Sequence, residues 1–396
     1  MASILDYVEW RGDLTFKERE FNDVDNLILA ELAYTDLLGI LENGGLDDEI
    51  SITEASKKYR DLGKDQSYLM CDPELLLNKC AGTVRFGSIM IRDYIDMKNQ
   101  GAQFQFAAMT FVLDDGSLYV AFRGTDDSLA GWREDLNFSY MEATPAQLSA
   151  VEYLNLELTK ISGNRKDGIL FPNSGENHDS RDEGLPPVRV GGHSKGGNLA
   201  IYASAFCENA DRIVTVYSND GPGFNETIVG HSDYQKVLEK TSLIIPEGSL
   251  IGVMLYNKDE KQIVKSTAKG GTKQHNPYSW VVNATGFEQA EKQTSMSLML
   301  DRTLDEWTMR LDNEQKKNFI DILFDTLESS GAKTFTEIYA DKWNYYNAIR
   351  KAVVKLAPEQ LSVLFDVAGQ FLAAGKEVIM EDRKSGDVKQ DPDTDQ

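Results

Sequence analysis

Three features of the sequence predict an α/β protein, with a mainly parallel sheet flanked by helices and a helical C-terminal part. β-rich runs alternate with helical ones between about residues 103 and 256. A glycine-flanked serine at 194 sits between a short strand and a helix. After about residue 295 the pattern becomes helical throughout. The 396 residues are 41% hydrophobic and 27% charged, an ordinary globular balance with room for one large domain and a smaller one.

In chain order, a helix is expected to begin near Asn22 or Asp23, through Leu27, Ile28, Glu31, Leu32 and Tyr34. Residues 40–62 should hold a short helix and loops. Residues 72–100 read as helical through Leu75, Leu76, Leu77, Ile89, Ile91 and Tyr94. Residues 103–123 carry two aromatic and β-branched runs around Asp114-Asp115-Gly116, the pattern of a hairpin. A helix should follow at 145–160. Residues 161–187 are polar and glycine-rich except for Ile169-Leu170-Phe171, and read as a long loop. Val188–Gly192 is a strand, a helix follows Ser194, and 212–218 is another strand. Residues 226–240 read as helical and 242–256 as strand-like. Beyond 295, Leu304, Trp307 and Leu311 share a helical face. Asp312 with Gln315, and Thr334 with Glu337, have capping-box spacing, and Gly331 is a plausible stop. Leu361, Leu364, Phe365, Ala368 and Leu372 form an apolar stripe. The expected division is 1–295, 296–381 and a polar, disordered tail at 382–396.

A formal net charge of −23 argues against nucleic-acid binding and against electrostatic binding to anionic membranes. No apolar run approaches the ~18 residues of a membrane span. The first residues, MASILDYVEWRGDLTF, lack the basic-then-apolar order of a secretory signal, so a cytoplasmic location is expected. Cys71, Cys80 and Cys207 are few and unevenly spaced, which suits a reducing compartment and no zinc site.

Gly192-His193-Ser194-Lys195-Gly196 matches G-x-S-x-G in the context VRVGGHSKGGNLAIYASAF. A strand, a sharp turn and a helix expose the serine as a nucleophile. The flanking glycines are needed where strand and helix approach closely, and the helix N-terminus faces developing oxyanion charge. This context predicts an α/β-hydrolase fold. Four histidines are present. His193 lies inside the elbow, turned from the reaction face. His178 precedes the nucleophile and His231 falls in an expected helix. His275, in a loop late in the chain, is the expected base. The acid is Asp220, after the strand RIVTVYSN, or alternatively Glu247 in IIPEGSL. The rigid Asp220-Gly221-Pro222-Gly223 turn favours Asp220. A loop opens after Val120-Ala121-Phe122-Arg123-Gly124, where Thr125 offers an N–H and a hydroxyl for an oxyanion hole, with the Lys195 N–H as the other donor. Trp132, among charged residues, is read either as part of a flap over residues 126–136 or as a buried tryptophan.

FRGTDDSLAGWREDL and GHSKGGNLA resemble the oxyanion strand, lid and elbow of class 3 (fungal-type) lipases. The N-terminal stretch LDYVEWRGDLTFKEREFNDVDNLILAELAY, NDGPGF and QHNPYSW resemble an uncharacterised bacterial branch of lipase-like hydrolases. The resemblance covers roughly residues 1–290. It implies an oxyanion role for Thr125 and support from Asp135. It departs at the acid, where the lipase aspartate precedes an Ile/Val-Val-Pro run and this chain has Glu247-Gly248-Ser249-Leu250. The expected activity is carboxylic-ester hydrolysis through an acyl-enzyme on Ser194, without cofactor or metal, on a small-molecule or lipid ester. The alternatives are an inactive lipase-like binding protein, or an acyltransferase or peptidase using the same residues.

Overall fold

The computed structural model describes residues 1–45, 48–64, 72–99, 104–126, 128–163, 185–257 and 260–385. Cys71, Asp127, His178, the 169–171 island, most of the expected 161–187 loop and the last eleven residues of the tail lie outside them.

Among the described residues eight strands form one sheet in sequential order: β1 (Glu49–Ser51), β2 (Met90–Asn99), β3 (Phe104–Val112), β4 (Leu118–Phe122), β5 (Val188–His193), β6 (Ile213–Asn219), β7 (Thr241–Pro246) and β8 (Gln262–Val264). The first four pair antiparallel, with β3 and β4 forming the expected hairpin about Gly116. From β4 to β8 every pair is parallel. Parallel strands need crossovers, and α7 (Pro145–Gly163), α8 (Lys195–Phe206) and α10 (Ser232–Leu238) lie in those connections. They pack on one face, against Leu118, Val120 and Phe122 of β4, Val188 and Val190 of β5, and Val216 of β6. The alternate residues Tyr119 and Ala121 point to the other face. That face is covered by N-terminal helices: α1 (Ile4–Arg11), α2 (Asp23–Leu32), α3 (Ile52–Asp61), α4 (Pro73–Ala81) and α5 (Val84–Gly87). This three-layer arrangement, with a nucleophile-type turn after β5, is the α/β-hydrolase fold.

Two expectations fail in instructive ways. The helix expected across 72–100 stops at Gly87, and Met90–Asn99 is a ten-residue strand. A bulge between Arg92 and Ile95, with Asp93 at φ 55°, shifts the alternation by one residue. Ile91 and Tyr94 therefore share a face although they are three apart, which imitates helical spacing. The strand-like run at 242–256 yields only β7. Residues 251–255 are bends and turns, and the last strand is the short β8.

α2 is buried on every side from Val24 to Leu32, including Asp25, Asn26 and Glu31. Of these, Asp25 and Asn26 are held by side-chain hydrogen bonds. Arg85, fully buried, donates through Nε and Nη2 to both oxygens of Asp25 at 2.8 and 2.6 Å. Its remaining N–H groups reach the carbonyls of Leu14, Thr15, Arg19 and Glu20. This one guanidinium ties the lead-in segment to α2.

The other helices are α6 (Leu129–Asn137), α9 (Glu226–Val229), α11 (Gly271–Gln274), α12 (Ser295–Arg310), α13 (Asn313–Glu328), α14 (Phe335–Ala340), α15 (Lys342–Val354) and α16 (Pro358–Ser385). Both expected capping boxes are formed, at Asp312/Gln315 and Thr334/Glu337. The stripe expected on α16 is out of phase: Phe365 and Leu372 are exposed, and Val367, Ala374 and Val378 carry the packing. Among the described residues no helix is long and apolar enough to cross a membrane.

Arg85→Ala removes the cation that compensates buried Asp25. Urea unfolding should show a loss of about 3–5 kcal/mol, typical of removing one partner of a buried pair. A loss below ~1 kcal/mol would show that α2 does not depend on it.

Candidate active site

The elbow follows from sterics. Ser194 joins β5 to α8 at φ 56°, ψ −131°, a strained conformation for a non-glycine residue. A Cβ on Gly192 would lie 2.4 Å from the backbone of Gly196, and one on Gly196 would lie 2.1 Å from the Phe122 carbonyl oxygen. Only hydrogen fits at either position. The Ser194 N–H donates to the Asn219 carbonyl at 2.9 Å, holding the turn to the end of β6.

Asp220 is the next residue. It is fully buried at φ 49°, and its N–H donates to the Ile244 carbonyl at 2.7 Å. Oδ1 accepts from the Ser249 hydroxyl and from the Gly252 N–H at 3.1 Å. Oδ2 meets His275 Nδ1 at 2.6 Å. His275 ends α11 and is 5% exposed. Its loop is pinned by Trp280, whose indole N–H donates to the Gln274 carbonyl at 2.8 Å, and by Gln274, whose Oε1 accepts from the Gly248 N–H at 2.7 Å. Burial holds the imidazole below its ordinary pKa against the opposing pull of Asp220. Among the described residues the Ser194 hydroxyl makes no hydrogen bond, so the Asp–His half of the arrangement is closed and the Ser–His half is open. The alternative acid Glu247 points elsewhere, its Oε1 accepting from the Ser266 N–H at 3.4 Å.

Thr125, after β4, donates through Oγ1 to Asp135 Oδ2 at 2.6 Å. Burial, with Glu134 and Asp126 nearby, pushes the Asp135 carboxyl up to about 7, although Lys195 and Thr125 oppose the shift. Lys195 is buried despite its charge. Its Nζ donates to Glu134 Oε2 at 2.9 Å and to the Gln105 carbonyl at 3.0 Å. Glu134 also accepts from the Ala146 N–H at 3.0 Å. Sequence reading passed over Glu134, because a Glu between Arg133 and Asp135 looks like part of a solvated helix face.

Within the 126–136 segment read as a flap, Leu129–Asn137 form α6. α6 is clamped on two sides. Glu134 holds the elbow lysine, while buried Arg133 reaches Asp321 at 2.6 Å and Asp325 at 2.8 Å on α13. Leu129 packs with Ile320, Phe324 and Ala332. α12 and α13 lie over Ser194 beside α6. They close an apolar cavity walled by Trp132, Ile251, Leu304, Trp307, Leu311 and Phe319, onto which Ser194 opens.

The remaining histidines differ. His231 is half-exposed and caps α10 through Nδ1. His193 is buried behind the site. Its ring centroid lies 4.6 Å from that of His275, and its Nε2 is 3.0 Å from the His275 carbonyl oxygen. Its Nδ1 lies 3.1 Å from Glu31 Oε1 and 3.4 Å from the Tyr34 hydroxyl.

Fold and elbow thus define a protein of the α/β-hydrolase class. The chain belongs to the Mbeg1-like family, whose profile matches residues 80–325. No curated protein matches it. A solved fungal lipase–inhibitor complex, described as a basis for interfacial activation in lipases, is 13% identical, with a TM-score of 0.32. That match covers 62% of this chain and 89% of the other.

Gly196→Val should be the most damaging single change at the elbow. The added side chain meets main chain rather than movable side-chain ends, so the turn itself must open. Differential scanning calorimetry should record a loss of at least the ~1–3 kcal/mol of ordinary overpacking. An unchanged melting temperature would mean that strand and helix are not held this closely.

Proposed function

We propose that the chain is a serine hydrolase that cleaves carboxylic esters through an acyl-enzyme on Ser194. The observation that carries this reading is the 2.6 Å contact between Asp220 Oδ2 and His275 Nδ1 beside a strained, glycine-flanked serine. With Asp220 accepting two further hydrogen bonds through Oδ1, its Oδ2 accepts from Nδ1, and Nε2 keeps its lone pair. In this reading Nε2 takes the Ser194 hydroxyl proton as Oγ attacks the ester carbonyl. The N–H groups of Lys195 and Thr125 receive the oxyanion, and Asp135 orients Thr125 through its hydroxyl. The imidazolium then protonates the departing alcohol. Water repeats the sequence on the acyl-enzyme.

The apolar cavity suits the acyl side of the ester, and the C-terminal helices supply part of its wall. The acyl slot is thus shaped from both sides of residue 295, with Trp132 and Ile251 before it and Leu304, Trp307 and Phe319 after it. Trp132 is wall and scaffold at once: it lines the cavity and packs edge-on against Phe335 at 5.6 Å.

Ser194→Ala and His275→Ala should each lower kcat on a short p-nitrophenyl ester by about 10⁴–10⁶, and Asp220→Asn by up to ~10⁴, with unfolding unchanged for the serine variant. His231→Ala should retain activity. The base must be neutral to act, so kcat/KM should rise with pH along an acid limb centred below the ordinary histidine value. Turnover within tenfold of the parent in the serine variant would sink the assignment.

Leu304→Ser should cost long acyl esters more than acetyl esters, since each buried CH₂ contributes about 0.8 kcal/mol. Equal losses for both chain lengths would place the acyl chain outside this cavity.

A further inference from the structure

The geometry points to a second buried acid–histidine pair, Glu31–His193, as a positioning unit that holds the loop bearing His275. This inference rests on the catalytic reading of His275.

A backbone carbonyl only accepts, so His193 Nε2, 3.0 Å from the His275 oxygen, carries a proton. That bond fixes the main chain of the residue whose side chain meets Asp220. His275 is thus gripped from two directions: its Nδ1 by Asp220 and its carbonyl by His193. The other ring nitrogen of His193 faces α2, where Glu31 is fully buried. Glu31 makes no hydrogen bond through either carboxyl oxygen, and only His193 forms an ion pair with it among the described residues. An isolated carboxylate there would be costly, and the His193 ring, with Nδ1 3.1 Å from Oε1, is the partner that offsets its charge.

The groups facing His193 are Glu31 on α2, Tyr34 just beyond α2, and His275, with Trp280 edge-on at 6.5 Å. A proton resting on His193 lies against the ring that must become positive during turnover. It opposes that charge, while Glu31 favours it; of the two, His193 acts more strongly on His275. The arrangement therefore does two things: it places His275, and it keeps its imidazole ready to give its proton to the leaving alcohol.

The test uses the intact protein and the variants His193→Ala, His193→Gln, Glu31→Gln and the double variant Glu31→Gln/His193→Ala. With only four histidines, ¹⁵N-histidine labelling allows His275 to be titrated directly, whether or not the protein turns over. In His193→Ala, kcat on the p-nitrophenyl ester should fall about 10- to 100-fold with little change in KM, as expected for a displaced base. The His275 titration and the acid limb should both move to higher pH. His193→Gln keeps a donor for the His275 carbonyl, so it should recover much of kcat while retaining the pH shift. The double variant should be no worse than His193→Ala, because both residues act as one unit. An unmoved titration in folded His193→Ala, or independent multiplication of the two single effects, would overturn the positioning role. If the parent neither turns over ester nor reacts with a fluorophosphonate at Ser194, the catalytic reading fails instead, and the titration still reports on the pair.

Discussion

At Gly192 and Gly196 the helix after the nucleophile approaches two strands until their main chains touch, and the rest of the site is arranged around that approach. Once α8 lies there, Ser194 has to adopt its strained turn, and the ends of β5 and β6 come into register. Asp220 then emerges beside Ser194 rather than a turn away. The strain at 194, a cost of order 1–3 kcal/mol, persists because the surrounding layers leave the backbone no alternative.

Those layers are unusually polar at their closest point to the elbow. Directly behind β5 and β6, Asn26 and Asn219 exchange side-chain hydrogen bonds, and Tyr119 donates to Asn26 at 2.7 Å. Lys195 is paired with Glu134 on the side of α7 and α8, and His193 with Glu31 on the side of α2. Each of the two residues flanking the serine is therefore committed to a different layer. A buried polar network costs more than an apolar core if any member is lost, yet it admits fewer alternative packings. Here it gives the turn one geometry where apolar packing would tolerate several.

What was legible in the sequence follows from how locally each feature is encoded. The elbow, the β3–β4 hairpin and the two capping boxes depend on residues within a few positions of one another, and they read clearly. His275 could be reached by elimination because so few histidines exist. Asp220 was favoured over Glu247 for the stiffness of its turn, and it is the carboxylate that meets His275. Residues whose partners lie far along the chain were missed. Glu31 is 162 positions from His193, by subtraction of their numbers, and nothing in NDVDNLILAELAY distinguishes a glutamate destined for the core from one facing water. β2 was obscured by its bulge, and β8 by its brevity. The covering role of α12 and α13 was not visible either, because an amphipathic helix shows which face it buries but not against what.

Arg133 and Glu134 are neighbours on α6, yet they hold different parts of the chain: one grips the aspartates of α13, the other the lysine next to the nucleophile. The two grips differ in their access to solvent. The lysine–glutamate pair is sealed from water, whereas Asp325 is largely open to it. Dissolved ions screen exposed charges over about 8–10 Å and hardly reach sealed ones. Ionic strength therefore acts on this helix unevenly, relaxing its hold on the C-terminal segment while its hold on the reactive turn stays fixed.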